Sequence, residues 1–211
     1  MNADRASAVG LFPAVSRETW DRLDIFAAQL AKWQKTINLV SPKTLGEIWT
    51  RHIADSLQLL DFVPDDARIF VDLGSGGGLP GLVVAAALAG RPDAIFHLVE
   101  SDQRKAAFLR EAARAMNVPV KIHNKRIEDA LESWPHGADV VSARALAPLP
   151  ELLSLAAPLL KAGTIGLFPK GQDIESEMTE ATKYWAISAT IMPSRTDDRA
   201  GILVVSSLTP R

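Results

Sequence analysis

Apolar residues recur at helical spacing from Trp20 through Leu23, Phe26, Leu30, Trp33 and Ile37, and Ser16 ahead of Arg17-Glu18-Thr19 supplies an N-terminal cap. One face of that helix is therefore built for burial. Asn38 to Ser41 breaks the spacing, and Ser41-Pro42 has the form of a second cap with proline at the first helical position. A second helix is predicted from there to about Leu60, with Ile48, Ile53, Leu57 and Leu60 on a related face, and Pro64-Asp65-Asp66 closes it. Residues 1–64 form a small helical extension on this pattern.

From residue 68 the period changes. Short β-rich runs at 68–73, 94–100, 120–123, 138–143 and 164–170 alternate with helical stretches at 82–90, 102–117, 126–134 and 149–163. Near-continuous apolar strands separated by crossovers of that length predict βαβ units around a parallel sheet. The runs at 185–193 and 200–208 differ, predicting two strands joined by a polar turn that carries Arg195 and Arg199. The predicted fold is α/β and Rossmann-like: a mostly parallel, doubly wound sheet with a C-terminal antiparallel strand pair, spanning residues 65–211, behind the helical extension.

Composition narrows the chemistry. With 211 residues, 47% hydrophobic and 23% charged, the chain supports one sizeable core. It has no cysteine, which excludes disulfides, thiolate catalysis and cysteine-held metals. Its four histidines, His52, His97, His123 and His136, show no zinc-ligand spacing, so no metal site is predicted. No signal-peptide layout opens the chain and no run of 18 apolar residues occurs in it, so a cytoplasmic location without membrane contact is expected. Net charge is -2, but residues 103–126 carry 7 basic and 1 acidic side chains. Arg104, Lys105, Arg110, Arg114, Lys121, Lys125 and Arg126 thus offer either a footprint for a phosphate backbone or a solvated face.

The ten residues from Asp72 to Gly81, DLGSGGGLPG, hold five glycines directly after a strand. That places a flexible turn at the carboxyl edge of the sheet, where open α/β folds bind ligands. In the register Gly76, Gly78, Gly81 it matches a dinucleotide fingerprint, with Glu100 following at about the ribose-binding distance. Read from Asp72 through Gly74, Gly76 and Gly78 it is DxGxGxG, the pattern of S-adenosylmethionine-dependent methyltransferases. A carboxylate at Asp72 suits a sulfonium and an amino group, whereas it would repel a pyrophosphate. Glu100, at the end of the second strand, is the candidate acceptor for two ribose hydroxyls.

Taken together, NLVS at 38–41, RHIADS at 51–56, DLGSGGGLPG at 72–81, ESDQRKAAFL at 100–109, NKRIED at 124–129, SARA at 142–145 and FPKG at 168–171 give the chain a specific likeness. It resembles the bacterial methyltransferases that modify N7 of a guanosine in small-subunit (16S) ribosomal RNA, historically called glucose-inhibited division protein B. The resemblance implies a class I methyltransferase fold with S-adenosylmethionine as cofactor. It implies cofactor contacts at Gly74, Leu79, Glu100, Ile127, Glu128 and Arg144, and a substrate presented within a precursor small ribosomal subunit. Arg144 and Lys170 are then candidates to hold the base edge and a nearby phosphate, with Ser142 as a further candidate that would otherwise cap the turn. Arg195 and Arg199 join the basic residues between 104 and 126 as candidates to grip the RNA backbone. His52 and Asp55, three apart on the second helix, either form a hydrogen-bonded pair that pins the extension over the cleft or touch substrate. A monomer is expected. The rival readings are a methyltransferase of the same fold with a small-molecule or protein acceptor, a dinucleotide-dependent oxidoreductase, and an RNA-binding scaffold without cofactor.

Overall fold

A computed structural model of the chain describes residues 3–132, 134 and 137–211. Seven strands among these residues, β1 (Ile69–Leu73), β2 (Ile95–Val99), β3 (Val120–His123), β4 (Val140–Ser142), β5 (Ile165–Lys170), β6 (Trp185–Pro193) and β7 (Gly201–Pro210), form one sheet in the order β3-β2-β1-β4-β5-β7-β6. The first five are mutually parallel, while β7 runs antiparallel between β5 and β6. Strand order reverses between β1 and β4, which opens a crevice at their carboxyl ends. The predicted topology and the C-terminal antiparallel pair are both present.

Each strand sends alternate side chains to opposite faces. On one face Phe70, Phe96, Leu98, Val140, Leu167 and Ile202 pack beneath α1 (Ala3–Leu11), α2 (Arg17–Trp33), α4 (Gly81–Ala87) and α5 (Gln103–Met116). On the other, Val71, Leu73, Val99, Val141, Phe168 and Leu203 meet α6 (Ile127–Leu131), α7 (Leu149–Leu160) and α8 (Ile174–Ala181). The N-terminal helices have no core of their own: Leu23, Phe26, Leu30 and Ile53 belong to the same cluster as Phe96 and Phe108, with the Phe26 and Phe108 rings 6.4 Å apart. The change of pattern at residue 64 is a change of architecture without a break in the packing.

Three elements depart from the sequence pattern. The second helix is not continuous; it comprises a 3-10 segment Pro42–Glu47, a π-helical turn Trp49–Ala54, the short α3 (Asp55–Leu57) and a 3-10 segment Gln58–Phe62. The interruption has a long-range cause. Asp4 on α1 accepts hydrogen bonds from the Trp49 N–H at 2.8 Å, the Thr50 N–H at 3.1 Å and the Thr50 hydroxyl at 2.6 Å, so a new turn starts at Trp49. Helix α1 itself shows no apolar stripe and is held by that cap and by a two-point Arg5–Asp24 pair at 2.7 and 2.6 Å. Helix α8 likewise lacks a long periodic signal and is packed through Ile174 and Ala181. Ser133, inside the predicted 126–134 run, and His136 lie outside the described residues, as do residues 1 and 2 of the extension.

Candidate functional site

Strand β1 delivers the chain into the glycine turn, whose Gly74, Gly76 and Gly78 have φ of 64°, 50° and 78°. These are left-handed values that side chains with a Cβ rarely adopt. The turn is tied to the end of β2. Ser75 N–H donates to the Val99 carbonyl at 3.0 Å, and Gly76 N–H donates to Glu100 Oε2 at 2.8 Å. Glu100 Oε1 accepts from the Asp102 N–H at 2.7 Å, so the carboxylate is locked at the crevice wall. Each of its oxygens retains lone-pair capacity toward the cavity.

That cavity measures about 840 Å³, a size suited to a nucleoside-type ligand. Gly74, Gly76, Leu79, Glu100, Ile127, Glu128 and Arg144 line it, and Asn38 to Pro42 of the N-terminal region cover it. The cover is close, since a Cβ on Gly77 would stand 2.9 Å from the Leu39 carbonyl oxygen. Ile127 opens α6 and is buried, so it is at once a wall of the cleft and a member of the second core. The sequence readings for these residues converge in one place.

Asp72 and Ser142 are elsewhere. The Asp72 side chain is turned into the sheet, where its Oδ1 accepts the Ser142 hydroxyl at 2.7 Å and its Oδ2 lies under Gly81; a Cβ there would be 2.6 Å from it. Neither residue borders the 840 Å³ cavity. The expectation that Asp72 faces a sulfonium, and that Ser142 faces a base, finds no support in this geometry: the Ser142 hydroxyl is turned onto Asp72 Oδ1 behind the turn, and Asp72 Oδ2 is buried under Gly81. Burial pushes the Asp72 carboxyl up to about 6, against the opposing hydrogen bond from Ser142. Gly78 does not line the cavity either, and a Cβ there would stand 2.7 Å from the Leu82 side chain on α4.

Arg144, just beyond β4, is the junction of the site. Its Nε pairs with Asp55 Oδ2 at 2.9 Å, one terminal nitrogen reaches His52 Nδ1 at 3.0 Å and the other donates to the Arg51 carbonyl at 2.8 Å. Burial, then the adjacent Arg144 charge, lower the His52 pKa to about 4. The ring is therefore neutral at physiological pH, accepting at Nδ1 from Arg144 and donating from Nε2 to Thr44 Oγ1 at 2.8 Å. His52 and Asp55 thus do not pair with each other; both grip one guanidinium and so pin the N-terminal helices to the sheet.

Lys170, at the end of β5, pairs with Glu177 at 2.5 Å and faces a second cavity of about 270 Å³, which also touches Arg144. Of the basic run, Lys105, Lys125 and Arg126 border the large cleft, Arg104, Arg110 and Lys121 are exposed, and Arg114 pairs with Glu111 at 2.8 Å. Arg195 folds onto Asp61 at 2.6 Å and over the Phe12 ring, while Arg199 stays open to solvent. Sequence reasoning missed Thr44 and Glu177. Neither stands in a motif, and each acquires its partner only through packing.

The chain matches the family described as rRNA small subunit methyltransferase G over residues 20–198. The ribosomal RNA small subunit methyltransferase G of Bradyrhizobium sp. (strain BTAi1) is 54% identical over 206 residues, covering 98% of this chain and 92% of the relative. That of Methylobacterium sp. (strain 4-46) is 56% identical over 195 residues, covering 92% and 91%. Among solved structures, an O-methyltransferase from Bacillus cereus in complex with SAH shares the fold, with a TM-score of 0.60 over 91% of both chains at 15% identity.

Proposed function

The chain belongs to the rRNA small subunit methyltransferase G family, and from that premise we infer that it is an S-adenosylmethionine-dependent enzyme methylating a guanine of 16S ribosomal RNA at N7. The observation that carries the reading is the Glu100 carboxylate, fixed by the Gly76 and Asp102 N–H groups at the wall of a cleft of about 840 Å³. The residues present fit the cofactor. Glu100 keeps acceptor capacity for vicinal ribose hydroxyls, Ile127 with Glu128 offers an apolar surface beside a polar edge for adenine, and the backbone of Gly74 to Leu79 allows close approach. Membership of this family removes the dinucleotide and scaffold readings.

S-adenosylmethionine supplies an activated methyl group on a sulfonium. The chain's own residues have less chemistry to do than in most transferases. Guanine N7 carries a lone pair and no proton at neutral pH, so no general base is required. What remains is to bind, orient and exclude water. Arg144 stands where the two cavities meet, held by Asp55, His52 and the Arg51 carbonyl, and contributes a fixed positive charge at that junction.

N7 lies in a groove that folded RNA makes deep and narrow, so an unpaired or extruded guanosine is the form the site takes. Lys105, Lys125 and Arg126 at the cleft, with Arg104 and Arg110 outside it, form the positive approach for the backbone. A precursor small ribosomal subunit is the physiological substrate on this reading, and the enzyme works as a cytoplasmic monomer. No helix among the described residues is long and apolar enough to cross a membrane. Incubating the protein with labelled S-adenosylmethionine and small subunits from a strain lacking it should place label in 7-methylguanosine of 16S rRNA. Label confined to another nucleoside overturns the proposed chemistry.

A further inference from the structure

The second cavity, about 270 Å³, shares Arg144 and Ala145 with the cofactor cleft. Three ion pairs wall it: Arg144 with Asp55 at 2.9 Å, Arg51 with Asp197 at 3.2 Å, and Lys170 with Glu177 at 2.5 Å. Three cations balanced by three carboxylates leave no net charge to attract a phosphate. Such a wall suits a neutral heterocycle whose edge alternates donors and acceptors.

The hydrogen bonds show which pair is open to a ligand. Asp55 gives Oδ2 to Arg144 and Oδ1 to Gln58 and Thr196. Asp197 gives Oδ2 to Arg51 and Oδ1 to the Arg199 backbone N–H. Glu177 differs. Its Oε2 takes both Lys170 Nζ and the Leu149 N–H, at 2.5 and 2.6 Å, whereas Oε1 accepts no hydrogen bond from the described residues. The Lys170 ammonium has three N–H bonds, and beyond Glu177 it makes only a long contact of 3.4 Å to the Ala147 carbonyl. A donor and an acceptor therefore lie side by side, with side chains only 10% and 26% exposed.

Guanine displays the complementary pair on its Watson–Crick edge, the O6 carbonyl beside N1–H. Resting on the reading that the acceptor is an RNA guanine, the geometry points to Lys170 and Glu177 as the reader of that base, Nζ donating to O6 and Glu177 Oε1 accepting N1–H. Held this way, guanine keeps N7 free. Adenine in the same orientation sets its amino group against the ammonium and its N1 lone pair against the carboxylate, leaving shielded polar groups mismatched. Glu177 is thus a specificity-determining residue.

The test replaces the guanosine identified by labelling with inosine or with 1-methylguanosine in otherwise unchanged RNA. Inosine keeps O6 and N1–H and lacks only the 2-amino group, so the wild-type enzyme should methylate it within about fivefold of guanosine. The 1-methylguanosine substrate, deprived of N1–H, should fall by about 100-fold or more. Glu177→Gln should lower kcat/KM on guanosine by about 10- to 100-fold, with its Kd for S-adenosylmethionine, from calorimetry, unchanged within about twofold. Rejection of inosine as strong as that of 1-methylguanosine overturns the proposal, and so does a Glu177→Gln enzyme as active as wild type. Should that variant fail to fold, the wild-type base series decides alone. A wild-type protein that binds no S-adenosylmethionine and methylates none of these RNAs overturns the methylation reading itself, and this inference with it.

Discussion

Two carboxylates flank the glycine turn, and their surroundings assign them different work. Glu100 accepts two backbone N–H groups at the rim of a cavity, while Asp72 is buried beneath Gly81 with one oxygen on Ser142. Charged hydrogen bonds are worth about 1.5 to 3 kcal/mol each. Glu100→Gln should therefore weaken S-adenosylmethionine binding by about 10-fold or more, and Asp72→Asn by less than about fivefold; calorimetry on both variants separates the roles. Asp72 also governs a pH dependence. Its carboxyl titrates at about 6 in the fold instead of near 3.8, because burial disfavours the charge. The stabilisation that goes with the protonated form is complete below the unfolded value and is lost as pH rises from about 4 through 6, a difference of about 3 kcal/mol at neutral pH. Asp72→Asn should flatten that part of the stability profile in urea titrations, and an unchanged profile would remove Asp72 as its source. The identity of residue 72 was plain from the DxGxGxG pattern. Its direction was not, because a strand residue's face depends on what packs over it.

The broken helix between Pro42 and Phe62 shows what a secondary element gains from distant contacts. Its apolar spacing is compatible with one continuous helix, yet Asp4 caps a new turn at Trp49 and the next residues widen into a π-helical turn. From that turn His52, and Asp55 directly after it, both reach Arg144. The clamp gives Arg144 a structural role beside the functional one proposed for it. Arg144→Ala leaves Asp55 without its cation, so it should cost about 2 to 3 kcal/mol in urea denaturation and lower methylation turnover by about 100-fold. A variant that loses activity with full stability would show that the clamp does not hold the helices. The motif RHIADS was legible as a unit, but its target lies about 90 residues away in the chain, at the end of β4.

For the whole molecule, the net charge of -2 conceals an uneven surface. Arg104, Lys105, Arg110, Lys125 and Arg126 remain without an ion-pair partner among the described residues, whereas Arg195 is spent on Asp61 and Phe12. About five released counterions predict that RNA affinity falls by about 100-fold between 50 and 200 mM salt, measured by filter binding or anisotropy. A flat dependence would remove the basic run from the interface. The alternation of strand and helix patterns determined the sheet and its antiparallel finish, and the glycines after β1 with Glu100 after β2 determined where the large cleft opens, because those features depend on local periodicity and on backbone freedom. Helix α8, the inward turn of Asp72, the Arg144 clamp and the pairing of Lys170 with Glu177 were decided only by the tertiary structure. Each joins residues from different elements, and such contacts form where burial and hydrogen-bond satisfaction across the assembled core outweigh what any local stretch prefers.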